Sequence, residues 1–427
     1  MITFVTVGLL GLLSLSIPVG IVLFLLGFGI DTFFSSFPLS KGLGRLVWSS
    51  SNSSTLIAIP FFVLLGEVLV RSGLAARTYA ALDRWVSWLP GGLVHANIAT
   101  ATMFSATSGS SVATAATVAT VAMPQAEKLG YDQKLFSGAI AAGGTLGIMI
   151  PPSINLIVYG FLTQTSIPQL FVAGLLPGIA LAVSFVLATA MICAVRPDLG
   201  GDRRIFPFSE MMRALVDLVP IILLFTVIIG AIYKGWATPT EAASVGVGGA
   251  ILIAALFGGI NVRMITEALA GTVKITAMIM LVVIGASFLN FTLSAAGMGQ
   301  ELRFFLEGLG LSPLWTLLVI VVMYVVLGFF IETLSLMVVT IPIVVPLVVN
   351  LGYDPIWFGI LMIVLIEMAL ITPPVGLNLY VVQGARKGGK MSEVMLGSIP
   401  FVLVMTLMVI ALIIFPDIAL YLPRALQ

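Results

Sequence analysis

Two adjacent prolines, Pro151-Pro152, interrupt the run GTLGIMIPPSINLIVYGFL at residues 144–162. A proline carries no amide hydrogen, and its ring disfavours helix at the residue before it. Two in succession withdraw the donors that the carbonyls four residues upstream would use. The interruption recurs as Pro373-Pro374 in EMALITPPVGLNLYV; from Pro151 to Pro373 the offset is 222 residues. At that same offset PQAEKLGYDQ, from Pro124, is matched by PLVVNLGYDP, from Pro346, and LGYD at 129–132 by LGYD at 351–354. The chain therefore holds an internal repeat, and each copy contains a helix that must break.

The setting makes these breaks costly. The 427 residues are 60% hydrophobic and 9% charged, with a mean hydropathy of +1.19. That is the composition of a polytopic helical membrane protein. Broken backbone at membrane depth is tolerated only where protein or a cavity surrounds it. A net charge of +1 gives nucleic-acid binding no support, and a lone Cys193 and a lone His95 exclude a disulfide framework or a Cys/His metal cluster. There is no GxxxxGK[ST] phosphate loop and no Ser/His/Asp set. The expectation is a protein that is not an enzyme and that draws energy from an ion gradient. The start, MITFVTVGLL, has no basic region and reads as a first membrane segment, not a cleaved signal.

Apolar segments fall at about 2–30, 54–71, 93–124, 132–160, 169–194, 214–233, 239–260, 270–293, 311–349, 355–383 and 393–415. Those at 93–124 and 311–349 are interrupted near the middle. In the first, a 12-residue arm precedes SATSGSS; about 18 Å of helix cannot cross roughly 30 Å of hydrocarbon. The segment reads as a hairpin that turns back within the bilayer. The alternative is one long helix with a small-residue packing patch. Reading both interrupted segments as hairpins sorts the basic residues 14 to 5, with Arg71, Lys134, Arg204, Arg263 and Arg386 in the larger set and Lys41, Arg45, Lys234, Arg303 and Arg424 in the smaller. The larger set is then cytoplasmic. Five crossings separate the hairpins, so the repeats are inverted. The predicted fold is an all-α polytopic membrane protein with inverted-topology repeats, two re-entrant hairpins and two discontinuous helices, the pattern of a secondary transporter.

The hairpin tips face the breaks. Ser105, Thr107, Ser108, Ser110 and Ser111 offer neutral oxygen ligands around Gly109, which suits a hard monovalent cation such as Na⁺; the alternative is small-residue helix packing. In the second tip Glu332 precedes Thr333, and Glu367 precedes the second break. Acids at membrane depth are functional candidates, as a proton site or a counter-charge, although Glu332 also fits an N-cap. Glu67, four residues before Arg71, reads as an ion pair, Asp132 and Asp354 as helix caps, His95 as structural, and Trp85, Trp88 and Trp236 as interfacial. No buried arginine stands ready to clamp a carboxylate. An anionic solute would rely on helix N-termini, on the hydroxyls of Ser105 and Ser111, and on the amides of Asn155 and Asn378.

SATSGSS, GIMIPPSIN, the paired LGYD turns and ITPPVGLNLYV resemble the large membrane subunit of tripartite ATP-independent periplasmic (TRAP) transporters of the DctM type, over essentially the whole chain. The resemblance implies a multi-pass protein of the bacterial inner membrane that works with a small four-helix membrane subunit (Q type) and a periplasmic solute-binding protein (P type). It implies import of small organic acids with co-transported Na⁺, two or more ions, by an elevator movement. One Na⁺ would lie between Ser108, Ser110 and carbonyls near Gly147, Ile150 and Pro152. A second would lie near Gly328, Thr333, Ala369, Thr372 and Pro374, although this tip departs from the serine-rich pattern. The implied organisation is scaffold at 1–90 and 166–309, transport parts at 91–165 and 310–385, and a C-terminal membrane helix at 386–427. The alternative is a stand-alone ion-coupled carboxylate transporter. A membrane enzyme acting on lipid-linked substrates would need clustered acids or histidines in loops, which the sequence lacks, and a purely structural scaffold gives no reason for two matched breaks.

Overall fold

The computed structural model describes residues 1–427 other than Gly109, Asp202, Arg203, Gly258, Lys387 and Gln427, with the backbone alone at 105–108, 302–303, 305–307 and 309. The described residues form α-helices and short 3₁₀ turns, with no strand among them. Arg203, Lys387 and the side chain of Arg303, used in sorting the basic residues, lie outside the described residues.

The segment expected at 2–30 is two helices, α1 (Ile2–Ser14) and α2 (Val19–Phe33). Pro18 cannot continue a helix, and Ser16 turns the chain with φ 58°. The Met1 amine donates to Glu301 Oε1 at 3.0 Å. Next come α3 (Leu43–Ser51), α4 (Ser54–Arg71) and α5 (Leu74–Val86). α5 is amphipathic, burying Leu74, Ala75, Thr78 and Tyr79 while Ala76, Arg77 and Ala80 face out.

The first hairpin is α6 (Leu93–Ser108) with α7 (Ser111–Lys128), and the first broken helix is α8 (Gln133–Met149) with α9 (Ile154–Thr163), bent by 42°. The LGYD turn locks their junction. Tyr131 Oη accepts from the Leu93 N–H at 3.1 Å, and Asp132 caps α8 by accepting from the Leu135 N–H at 2.8 Å. Burial pushes the Tyr131 phenol above its usual range. Long helices follow: α10 (Ile167–Val195), α11 (Phe208–Tyr233), α12 (Pro239–Leu256) and α13 (Val262–Ala295). Thr238 and Glu241 form a capping box at the start of α12.

After the amphipathic α14 (Met298–Leu309) the second hairpin is α15 (Pro313–Gly328) with α16 (Thr333–Asn350), and the second broken helix is α17 (Pro355–Ala369) with α18 (Leu377–Ala385). α7 and α16 each have 18 residues, and both their starts, 111 and 333, and their ends, 128 and 350, differ by the repeat offset. Asp354 caps α17 as Asp132 caps α8. The chain closes with α19 (Met391–Ile414) and α20 (Asp417–Ala425). Among the described residues seven helices are long and apolar enough to cross a membrane, or eight if α8–α9 is one span. The chain is a multi-pass membrane protein.

α8 is buried along its length between α6, α7 and α19. Glycines set its distance from α19, since a Cβ on Gly397 would lie 1.8 Å from the Lys134 carbonyl oxygen. α10 packs on α8, α17, α19 and α20, whereas α13 packs on α2 and α4, and α12 on α4 and α11. Ion pairs gather the basic residues of the larger set with their acids: Arg71–Glu267, Arg77–Asp217, Arg204–Asp83 and Arg386–Glu393.

Candidate functional site

The double prolines act on named carbonyls. The donors that would serve Gly147 and Ile148 fall on Pro151 and Pro152, which have no N–H. Ile150 leaves the helix with extended backbone, φ −85° and ψ 120°, and Ser153 caps α9, its hydroxyl accepting from the Leu156 N–H. In the second repeat the donors for Ala369 and Leu370 fall on Pro373 and Pro374. There the Leu370 carbonyl accepts from the Asn378 N–H at 3.2 Å, and Ala369 accepts from Thr372 at 3.2 Å. Both prolyl–prolyl bonds are cis.

Each tip lies against broken-helix backbone. In the first, Ser110 is the N-cap of α7. The Ser111 carbonyl sits so close to α8 that a Cβ on Gly144 would lie 2.9 Å from it. Gly147 follows one turn later. The side chains of Ser105 and Ser108 lie outside the described residues. In the second tip, Glu332 is the N-cap of α16, accepting from the Leu334 and Ser335 N–H groups at 3.1 Å. Gly328, the last residue of α15, stands where a Cβ would meet the Ala369 Cβ at 2.6 Å. Thr372 Oγ1 donates to the Met368 carbonyl at 2.6 Å. Gly328, Thr333, Ala369 and Thr372 thus gather at the end of α17, with Pro374 in the break that follows.

One carboxyl joins the two tips. Glu367 is wholly buried. Thr333 Oγ1 donates to its Oε1 at 3.0 Å, and Ser111 Oγ donates to its Oε2.

A cavity of about 200 Å³ lies beside the tips. One wall carries Ser110, Ala113 and Thr117 at the start of α7, Ile154 and Asn155 at the start of α9, and Glu332 and Leu334 at the start of α16. The opposite wall is α4 (Val63, Gly66, Glu67, Val70) and α13 (Ile275, Met278, Ile279). Three helix N-termini therefore converge on one space; those of α7 and α9 present positive dipole ends, and that of α16 carries the Glu332 carboxylate. The Asn155 side-chain nitrogen is buried without a hydrogen bond. Glu332 is spent on its cap, and Glu67 is paired with Arg71 at 2.6 Å. Asn378 does not share this space; its amide donates to the Ala141 carbonyl at 3.3 Å, tying α18 to α8. Ser111 is engaged with Glu367. Glu67 reads as an ion-pair residue in the sequence, and its place on the cavity wall depends on α4 crossing the tips.

His95 Nε2 pairs with the Pro90 carbonyl at 2.7 Å. A second cavity, of about 720 Å³, lies at the other end of α4, lined by Ser53–Thr55, Gln164–Pro168 and Thr238–Glu241.

Comparison with known proteins places these features in a family. The profile described as "Tripartite ATP-independent periplasmic transporter, DctM component" matches residues 6–418. The C4-dicarboxylate TRAP transporter large permease protein DctM of Pseudomonas aeruginosa is 32% identical over 385 residues, covering 90% of both chains. The sialic acid TRAP transporter large permease protein SiaM of Vibrio cholerae is 31% identical over 422 residues, covering 98% of this chain and 97% of its own. Among solved structures, the YdaH transporter of Alcanivorax borkumensis, described as having an unusual topology, superposes with a TM-score of 0.69 over 95% of this chain and 97% of its own, at 15% identity.

Proposed function

Because the chain belongs to the tripartite ATP-independent periplasmic transporter family, as its DctM component, we propose that it is the large permease of a sodium-coupled, binding-protein-dependent importer of small organic acids. The observation that carries this reading is the convergence of the α7, α9 and α16 N-termini on one cavity. The α7 and α9 dipole ends favour an anionic group there, the α16 end being compensated by the Glu332 carboxylate, and Asn155 offers an unengaged amide donor. The cavity volume is below the roughly 300–1,000 Å³ of drug-sized sites, which suits a solute of few carbons.

Cations complete the charge balance. One Na⁺ would take Ser110 and the carbonyls of Gly147 and Ile150 beside Pro152, with Ser108 as a further ligand. A second would take backbone oxygens of Gly328, Ala369 and Thr372, with Thr333 and Pro374 alongside. Of these oxygens, those of Gly147 and Ala369 lose their helical donors to Pro151 and Pro373, and neutral oxygens are the ligands such an ion needs. The hairpins enter the cytoplasmic membrane from opposite faces and turn back at the tips. The tips and broken helices move as an elevator against α4 and α13. A small four-helix membrane subunit and a periplasmic solute-binding protein complete the transporter, as the family relationship supports.

The test is uptake in liposomes holding the chain with its small membrane subunit. Uptake of the solute should need both the binding protein and an inward sodium gradient. Uptake that proceeds with free solute alone would assign the chain to stand-alone carboxylate transporters, and uptake indifferent to sodium would remove the ion coupling.

A further inference from the structure

The two hydroxyls on Glu367 come from matched positions of the repeats. Ser111 and Thr333 are the first residues of α7 and α16, and they differ by 222 in number. The repeats are thus brought together at their own symmetry-related points, on one side chain. That side chain breaks the symmetry, because the repeat mate of Glu367 is Thr145, whose hydroxyl donates to the Ala142 carbonyl of its own helix. The first repeat brings a hydroxyl to the centre, and the second brings a hydroxyl and the acceptor for both.

The surroundings make this carboxyl consequential. It is wholly buried, in a chain where an acid at membrane depth is costly unless its oxygens are satisfied. Each oxygen receives one hydroxyl. Ser111 follows the cap of α7, Ser110, and lies against α8 one turn before Gly147. Thr333 follows the cap of α16, and Glu367 itself lies two residues before Ala369, which touches Gly328. Through these two hydroxyls Glu367 links one tip to the other.

Resting on the reading of two sodium sites above, we propose that Glu367 is a positioning residue shared by both, holding the tips in register so that the two sites fill as a coupled pair. It is not a ligand of either ion. Its carboxyl sets where Ser111 and Thr333 stand, and through them the first turns of α7 and α16.

The test is the sodium dependence of uptake by the complete transporter in liposomes. Glu367→Ala should raise the sodium concentration for half-maximal uptake about tenfold, the effect of losing a buried hydrogen-bond acceptor, and bring the Hill coefficient from above 1 to about 1. Glu367→Gln should keep the cooperative dependence, because an amide offers an acceptor to one hydroxyl and a donor to the other. A glutamine variant as impaired as the alanine one would overturn the proposal. Ser111→Ala and Thr333→Val supply a second test should the alanine variant not accumulate. Each should shift the sodium requirement severalfold, and together no further than the worse of the two, since both act through one partner. Effects that multiply would overturn the proposal while wild-type uptake still follows sodium. Wild-type uptake without sodium dependence would instead remove the sodium reading, and this coupling with it.

Discussion

Ser110 stands outside α7 with extended backbone, φ −140° and ψ 123°, and its hydroxyl accepts from the Ala113 N–H. That makes it a helix cap in its own right, and capping alone predicts a specific outcome. Replacing a serine cap by alanine costs about 1 kcal/mol, whereas glycine costs only a few tenths. If the hydroxyl also holds a cation, the two substitutions converge. Ser110→Ala and Ser110→Gly should both weaken sodium-driven uptake strongly, measured as initial rate against sodium concentration. A glycine variant with wild-type uptake would leave Ser110 a cap and nothing more. The caps were legible in the sequence because they act over three residues; Asp132 and Asp354 follow LGY and precede an apolar run, and each caps its helix. Glu332 fitted two roles equally in the sequence, and its two backbone bonds show the cap. The role of Glu367 was not legible, since Ser111 lies 256 residues away in the chain.

Among elements, the broken helices and the α7/α16 match were readable because proline chemistry is local and the repeat offset is free of gaps as far as the double prolines, slipping by one only at α9 and α18. The amphipathic α5 and α14 were not, since each is short and carries its apolar face beside charged residues. Nor was the split of the segment at about 2–30 into α1 and α2, since a proline such as Pro18 interrupts a helix without fixing whether the chain bends or turns back. What holds α8 in place is close packing of small residues, legible only once partners are known. A Cβ on Gly138 would lie 2.1 Å from the Gly397 backbone, and one on Gly397 would lie 1.8 Å from the Lys134 oxygen. Neither neighbour is a flexible side chain that could step aside, so α19 would have to move off α8. Gly397→Ala should therefore destabilise the protein by at least the roughly 1–3 kcal/mol of overpacking. A lower unfolding temperature in detergent checks this, and an unchanged one would show that the α8–α19 contact can open.

Across the whole molecule, two groups of helices meet at the small cavity. α7, α9 and α16 supply one wall, and α4 and α13 the other. α4 presents Val63, Gly66, Glu67 and Val70 here, toward Arg71, and Ser54 and Thr55 to the larger cavity at its opposite end. From Ser54 to Gly66 is about 18 Å along a helix, so a solute reaching the small cavity from the larger one must travel a good part of the membrane. Either the tips carry it, or a path opens between fixed walls. The two differ in what happens when the walls are tied together. With Cys193 first replaced by serine, Val70→Cys on α4 and Ile154→Cys on α9 place one thiol on each wall of the cavity. Uptake by each single variant, before and after the reagent, sets the baseline. A bifunctional thiol reagent applied to the double variant should stop uptake if the walls slide, beyond any loss it causes on either single variant. A reducible linker should allow uptake to return on reduction. Uptake that continues with α4 and α9 joined would mean that they travel together, and the moving boundary would then have to lie elsewhere, between α4 and the α11–α12 pair that packs behind it.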